Sequence, residues 1–345
     1  MTTALVLGGG APNLTLMSGA LLALDEAGIT FDIISTTGAG MLVGLLYAAP
    51  KNGDRRQALR ETRGMGVADS IYNVFPINYK VFHKPGPMAE AYSQWMASLP
   101  PWPPGDSEWA RTTRDMVQFW LSAMSPSNLN PWSQGMCQPP PWIEQVVDFE
   151  RLKRFEGDFY LSAYCIDDHK HQIFSKEQID ADHFKAALAM PLIYSPYKLN
   201  GKTYIEGSAL DTLNFKGLIE DPDINDIDNI IVFDVLGLDQ LVREPRSLYD
   251  AWVLSIIVPL TAIAKDDARL FELVHNSRHQ KNFFKIPFDI PQEQFETILD
   301  WSYSNLSSLF DIGYESAARF VENNQATLLG DGDVELHFSS MPSAG

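Results

Sequence analysis

The sequence predicts an α/β fold, with a mostly parallel central sheet and helices on its faces. Three observations predict it. Short apolar runs recur at 4–7, 31–34, 159–166 and 230–235, each bounded by glycine or polar residues, as buried strands are. Helical spacing of apolar residues follows the first of them. The composition, 45% hydrophobic and 20% charged over 345 residues, is that of a globular chain long enough for one large domain.

The elements follow in order. The run at 4–7 feeds Gly8-Gly9-Gly10, a glycine turn. Leu14, Met17, Leu21 and Leu24 mark a helix over 14–27, and Gly28 stands where it should stop. A strand at 31–34, a polar turn at 35–40 and a small-residue helix at 41–49 complete the opening of a parallel sheet. The middle differs. Six of the eight tryptophans lie between Trp95 and Trp142, and half of the 22 prolines between Pro85 and Pro141. Pro100-Pro101-Trp102-Pro103-Pro104 and Pro139-Pro140-Pro141-Trp142 exclude helix and central strand. Between them 109–124 reads as one helix. Residues 70–146 are therefore read as a cap or lid inserted into a single domain, 1–345, with its tryptophans expected to be buried. From 147 the α/β pattern returns, and the last hundred residues read as helical, over 292–309 and 311–323. The apolar stretch 251–264, interrupted by Pro259, is too short to span a bilayer; it reads as a buried helix or as a face that rests on lipid.

The net charge of −18 excludes the basic surface that nucleic acid requires, and it opposes docking on anionic lipid. Cys137 and Cys165 are read as free buried thiols of a reducing compartment rather than a disulfide framework. The N-terminus lacks a basic region ahead of its first strand, so a cytoplasmic location is expected. Homo-oligomerisation is left open.

The chemistry gathers at two turns. A triple glycine between strand and helix bares backbone amides that can hold an oxyanion or a phosphate, or it is simply a tight turn. It lacks the Lys-Ser/Thr of a P-loop. Thr36-Thr37-Gly38-Ala39-Gly40 lies on a strand-to-helix turn, where a hydrolase would expose its nucleophile.

Here a family becomes recognisable. Leu5-Val6-Leu7-Gly8-Gly9-Gly10-Ala11 resembles the oxyanion loop of the patatin-like lipid acyl hydrolases, and 32–42 resembles their nucleophile elbow. Ala186 to Pro196 is similar to the helix and proline-bounded loop before their catalytic aspartate. Tyr204-Ile205-Glu206-Gly207-Ser208 falls at the aspartate itself, and 313–318 resembles a closing helix. The resemblance implies the patatin-like three-layer fold and a serine-aspartate dyad. Carried over by position, Gly38 stands at the serine and Glu206 at the aspartate. Pro12 and Asn13 replace the basic residue and glycine that usually follow the glycine stretch.

Three readings follow. In the first, Glu206 is a general base or acid acting without serine on a lipid or acyl (thio)ester, through a water in the space that Gly38 vacates. Gly8, Gly9 and Gly10, with Asn13, would hold the oxyanion, and Ala39, Met41, Pro191 and Ser208 would line the substrate site. In the second, the fold is a non-catalytic binder of an acyl ligand or a protein. In the third, Thr37 or Ser208 is a relocated nucleophile. No cofactor or metal is implied. His169 and His171 alternate as metal ligands on one strand face could, but read rather as an exposed hairpin. His275 and His279 lack the glutamate of a zinc-protease motif. Asp211 and Asn214 line the pocket mouth or cap the next turn.

Overall fold

A computed structural model describes residues 1–10, 13–100, 102–105, 107–295, 300–329 and 338. Ten strands are described: β1 (Thr3–Leu7), β2 (Ile33–Thr36), β3 (Gly135–Cys137), β4 (Asp158–Cys165), β5 (Lys170–Ser175), β6 (Leu192–Tyr194), β7 (Tyr197–Leu199), β8 (Lys202–Glu206), β9 (Asn229–Phe233) and β10 (Asn282–Lys285). The longer helices are α1 (Leu14–Glu26), α2 (Gly40–Ala48), α3 (Arg55–Glu61), α4 (Pro87–Ala97), α5 (Glu108–Met124), α6 (Ala181–Ala187), α7 (Leu248–Leu270) and α8 (Tyr303–Leu329).

The main sheet runs β10-β9-β1-β2-β4-β8-β7, with β5 also on β4. From β10 to β4 all neighbours are parallel; β5 and β8 pair antiparallel to β4, and β7 antiparallel to β8. β1 is central, and its side chains divide by alternation. Leu5 and Leu7 enter the larger core beneath α1, α2 and α8, while Ala4 and Val6 enter a second core with Phe215, Leu218 and Phe271. Two buried faces account for its unbroken apolar run, and they give helix, sheet, helix as three layers.

The tightest helix contact joins α1 to α8. A Cβ on Gly19 would lie 2.0 Å from the Phe310 carbonyl oxygen, and one on Gly313 would lie 1.9 Å from the Leu16 oxygen. Only glycine lets these two backbones touch. Tyr314 Oη donates to Glu26 Oε2 at 2.5 Å across the same seam.

Several expectations are corrected. β2 starts and ends two residues later than 31–34, because Ser35 and Thr36 are buried ladder residues whose hydroxyls donate to the Asn214 and Tyr160 carbonyls. The helices expected at 292–309 and 311–323 are a short turn at Gln292–Phe295 and then one helix, α8, with non-helical backbone at Asn324. The stretch 251–264 lies within α7 but is not wholly buried: Val253, Leu254, Ile257 and Ala264 face the core, while Trp252 and Val258 are partly exposed. Among the described residues no helix is long and apolar enough to cross a membrane. Pro12, Pro101 and the tail from Gly330 lie outside the described residues, Phe338 excepted.

The Trp/Pro-rich segment is built of α4, α5, β3 and loops. β3 pairs with β6, and buried Asp115 of α5 joins Lys80 Nζ at 2.8 Å and the Ala68 amide at 2.7 Å. The tryptophans do not go inside as expected. Trp95, Trp102, Trp109, Trp120 and Trp132 are exposed, and Trp142 alone of the six packs against the core. The charged side of α5 faces the protein instead.

Candidate active site

Sheet topology brings the two turns together. β5 pairs along one edge of β4 from Tyr160 to Cys165, so β2 and β8 must share the other edge. Leu161 pairs with Thr36, and two residues on, Ala163 pairs with Glu206. β2 and β8 therefore meet end to end, and the elbow after Thr36 faces the carboxylate that ends β8. The Glu206 amide donates to the Ala189 carbonyl at 3.0 Å, which fixes the carboxylate's root against the segment after α6.

Gly38 has φ +52°, a left-handed conformation that glycine adopts freely, and it leads into α2. A Cβ there would lie 2.7 Å from Ser208 Oγ, 2.8 Å from Glu206 Oε1 and 2.9 Å from the Gly9 Cα. The space that glycine was expected to vacate for a water is filled by these two side chains. Ser208 sits in the helical turn Gly207–Ala209, and its Oγ donates to Glu206 Oε1 at 2.5 Å. Burial pushes the Glu206 carboxyl up to about 7, against the opposing pull of the Ser208 hydroxyl.

Gly9 touches this pair, since a Cβ on it would lie 2.9 Å from the Ser208 Cβ. The Gly8 and Gly9 amides are committed to the Phe233 carbonyl at 3.2 Å and the Thr212 carbonyl at 3.1 Å. They hold the loop in place and are not open to an oxyanion. Among the described residues the Gly10 and Ala39 amides have no such acceptor, and Ala39 stands at the N-terminus of α2.

The other expected residues divide. Thr37 is fully buried, accepting from Ser162 Oγ at 3.2 Å and donating to the Asp211 carbonyl at 3.5 Å, so its hydroxyl braces the elbow from behind. Met41 lies in the core beneath α2. Pro191 is exposed on the turn into β6, and Asn13 opens α1, its carbonyl accepting from the Met17 amide. Asn214 caps the short helix after it and also donates to the Thr36 carbonyl at 3.0 Å. Ser162 was missed; its signal is only a serine inside an apolar strand. Leu236 was missed too, and it lies over Gly9 and Gly10.

His169 and His171 do not share a strand face. His169 sits in the β4–β5 turn at φ +52°, while half-buried His171 packs edge-on to Tyr164. Cys165 is buried as expected, and Cys137 is only partly so. Asp158, Asp221 and Asp223 bring carboxylate oxygens within 4.8 Å of one another, the one such acidic group among the described residues. It lies at the start of β4, the opposite end of the sheet from Gly38, and Lys176 already neutralises Asp158 at 3.2 Å.

The pair is closed over: Glu206 is 7% exposed and Ser208 5%. A cleft of about 450 Å³ lined by Asp25, Tyr47, Arg55 and Arg56 lies at the far end of α2.

A fold with a glycine-rich loop after β1, an elbow after β2 and an acid at the end of β8 has the layout of an acyl hydrolase. Residues 5–219 match the model of the patatin-like phospholipase family, and the chain belongs to that family. The crystal structure of VipD from Legionella pneumophila aligns with a TM-score of 0.40 and 13% identity, over 93% of this chain. This chain spans 66% of that one. No curated protein matches in sequence.

Proposed function

We propose that this chain is a lipid acyl hydrolase in which the Ser208 hydroxyl is the nucleophile and Glu206 its base. The observation that carries the reading is the 2.5 Å bond from Ser208 Oγ to Glu206 Oε1, held against Gly38 and Gly9. Glycine at 38 leaves room for that hydroxyl where a side chain at the elbow would displace it. A carboxyl near 7 is matched to proton transfer at neutral pH.

The steps balance. Glu206 takes the proton of Ser208 as Oγ attacks the ester carbonyl carbon. The Gly10 and Ala39 amides face the developing oxyanion. The carbonyl re-forms, the alcohol leaves with the proton from Glu206, and water repeats the sequence to free the acid. The reading requires the cover over the pair, Leu236 included, to move aside for substrate.

That cover favours a second reading, a non-catalytic member of the family that binds an acyl ligand or a partner. One experiment separates the two and retains the serine-independent alternative. Wild type, Ser208→Ala and Glu206→Gln are assayed on p-nitrophenyl acyl esters of several lengths and labelled with a fluorophosphonate. Loss of turnover in both variants, with the label on Ser208, is expected. Turnover that survives in Ser208→Ala but not in Glu206→Gln would return the chemistry to Glu206 and water. Absence of both turnover and label in wild type would leave the binder.

A further inference from the structure

α5 is amphipathic in the reverse sense for a helix on a folded domain. Trp109, Met116, Val117, Trp120 and Met124 recur at helical spacing on one side, and all are exposed, Trp109 at 68%, Trp120 at 59% and Met124 at 64%. The opposite side holds the charges and turns inward. Asp115 is buried against Lys80 and the Ala68 amide, Arg111 lies 3.6 Å from the Tyr303 ring centroid, and Arg114 donates to the Pro103 carbonyl at 2.9 Å and to the Gly105 carbonyl. Glu108, the remaining charge, lies in the first turn about 100° from Trp109 around the helix axis and off the stripe. Phe119 borders the stripe and packs on exposed Phe75 at 4.8 Å, which continues the apolar surface onto the loop after Tyr72.

We propose that this stripe of α5 docks the protein on the surface of an electrically neutral lipid bilayer, the helix lying flat with its tryptophans among the headgroups. The inference is independent of whether the buried pair turns over substrate. Charge selects the occupant. The stripe carries no ionised group, so it loses nothing on entering the headgroup boundary, whereas the net charge of −18 repels an anionic surface. Chemistry selects it again. A specific protein interface rings its apolar core with a polar rim and carries about one hydrogen bond per 100–200 Å², and this face offers only Thr113 and indole N–H groups. Tryptophan, with an apolar body and one polar tip, suits the boundary between water and hydrocarbon. The seventeen residues of α5 span about 25 Å, enough to lie in that plane as interfacial helices do.

The test is flotation of the full chain with extruded phosphatidylcholine vesicles, with tryptophan emission read alongside, and the same with phosphatidylglycerol added. Binding to the neutral vesicles, a blue shift in emission, and insensitivity to salt are expected. The variant Trp109→Ser/Trp120→Ser/Met124→Ser, confirmed folded by circular dichroism, should partition roughly tenfold less or weaker. A second variant, Trp132→Ser, controls for loss of any exposed tryptophan and should bind within about twofold of wild type. Failure of wild type to float, floating that requires the anionic lipid, or an unchanged triple variant would overturn the proposal. So would a dimer of wild type in sedimentation that the triple variant abolishes, because the stripe would then be covered by a second copy.

Discussion

Ser208 occupies the space that a side chain at residue 38 would need, its Oγ only 2.7 Å from where a Gly38 Cβ would stand. The two positions are therefore coupled: a residue with a side chain at the elbow and a serine at 208 exclude one another in this arrangement. Gly38→Ala is expected to destabilise by about 1–3 kcal/mol, from overpacking and from φ +52° together. Combining it with Ser208→Ala should recover part of that loss, and urea unfolding of the four forms measures the coupling. Strict additivity would show that Ser208 does not fill the elbow.

The Glu206 carboxyl links stability to pH with a definite sign. Its pKa is raised from 4.5 to about 7 by burial, so the folded state holds the proton more tightly than the unfolded chain does. The stabilisation is whole below about 4.5 and is lost as pH rises through 7, on the order of 3 kcal/mol in all. Glu206→Gln removes this dependence. Its stability relative to wild type should rise by that amount between about pH 5 and about pH 8 in urea titrations. A constant difference would place the carboxyl in water.

The same group sets the direction of the rate. A base must be ionised, so kcat/KM for an acyl ester should rise with pH to a plateau, with its midpoint near 7. A profile flat from about pH 5 to about pH 8 would remove Glu206 from proton transfer.

At the seam of α1 and α8, Gly19→Ala and Gly313→Ala each drive a methyl into backbone that no rotamer change can clear. Each should cost about 3 kcal/mol or more, read as a lowered urea midpoint. Gly64→Ala, where a Cβ would meet nothing within 4 Å, is the control and should be nearly silent.

Asp115 fastens α5 to the body of the protein. Asp115→Ala leaves the Ala68 amide without its acceptor and Lys80 without its counter-charge, although Lys80 Nζ still donates to the Gly66 carbonyl, and should cost about 3–5 kcal/mol. Limited proteolysis should then cut first within 70–146. Cleavage elsewhere first would mean that β3 alone holds the segment.

The parts of the fold that are local were legible. The apolar run of β1, the spacing of Leu14, Met17, Leu21 and Leu24, and the glycine at 38 each carry their own physical signature, and Glu206 follows from the family resemblance. What escaped depends on contacts between distant residues. Nothing in the sequence says that Gly8 and Gly9 give their amides to Phe233 and Thr212, or that Ser208 turns back onto Glu206. The tryptophans misled for a related reason. Periodicity shows that Trp109 and Trp120 share a face of α5, but which face points inward is decided by Asp115, whose partners Lys80 and Ala68 lie on another segment.

The central position of β1 has a consequence for how the chain comes off the ribosome. β1 is made long before one of its two neighbours, β9, which ends at Phe233, and the helix that seals α1 begins only at Tyr303. At about 5–20 residues per second, α1 waits on the order of 15–60 s for α8. Throughout that interval the apolar flank of α1 that holds Gly19 lacks the helix that covers it, so the nascent chain carries an open hydrophobic face until α8 has been made.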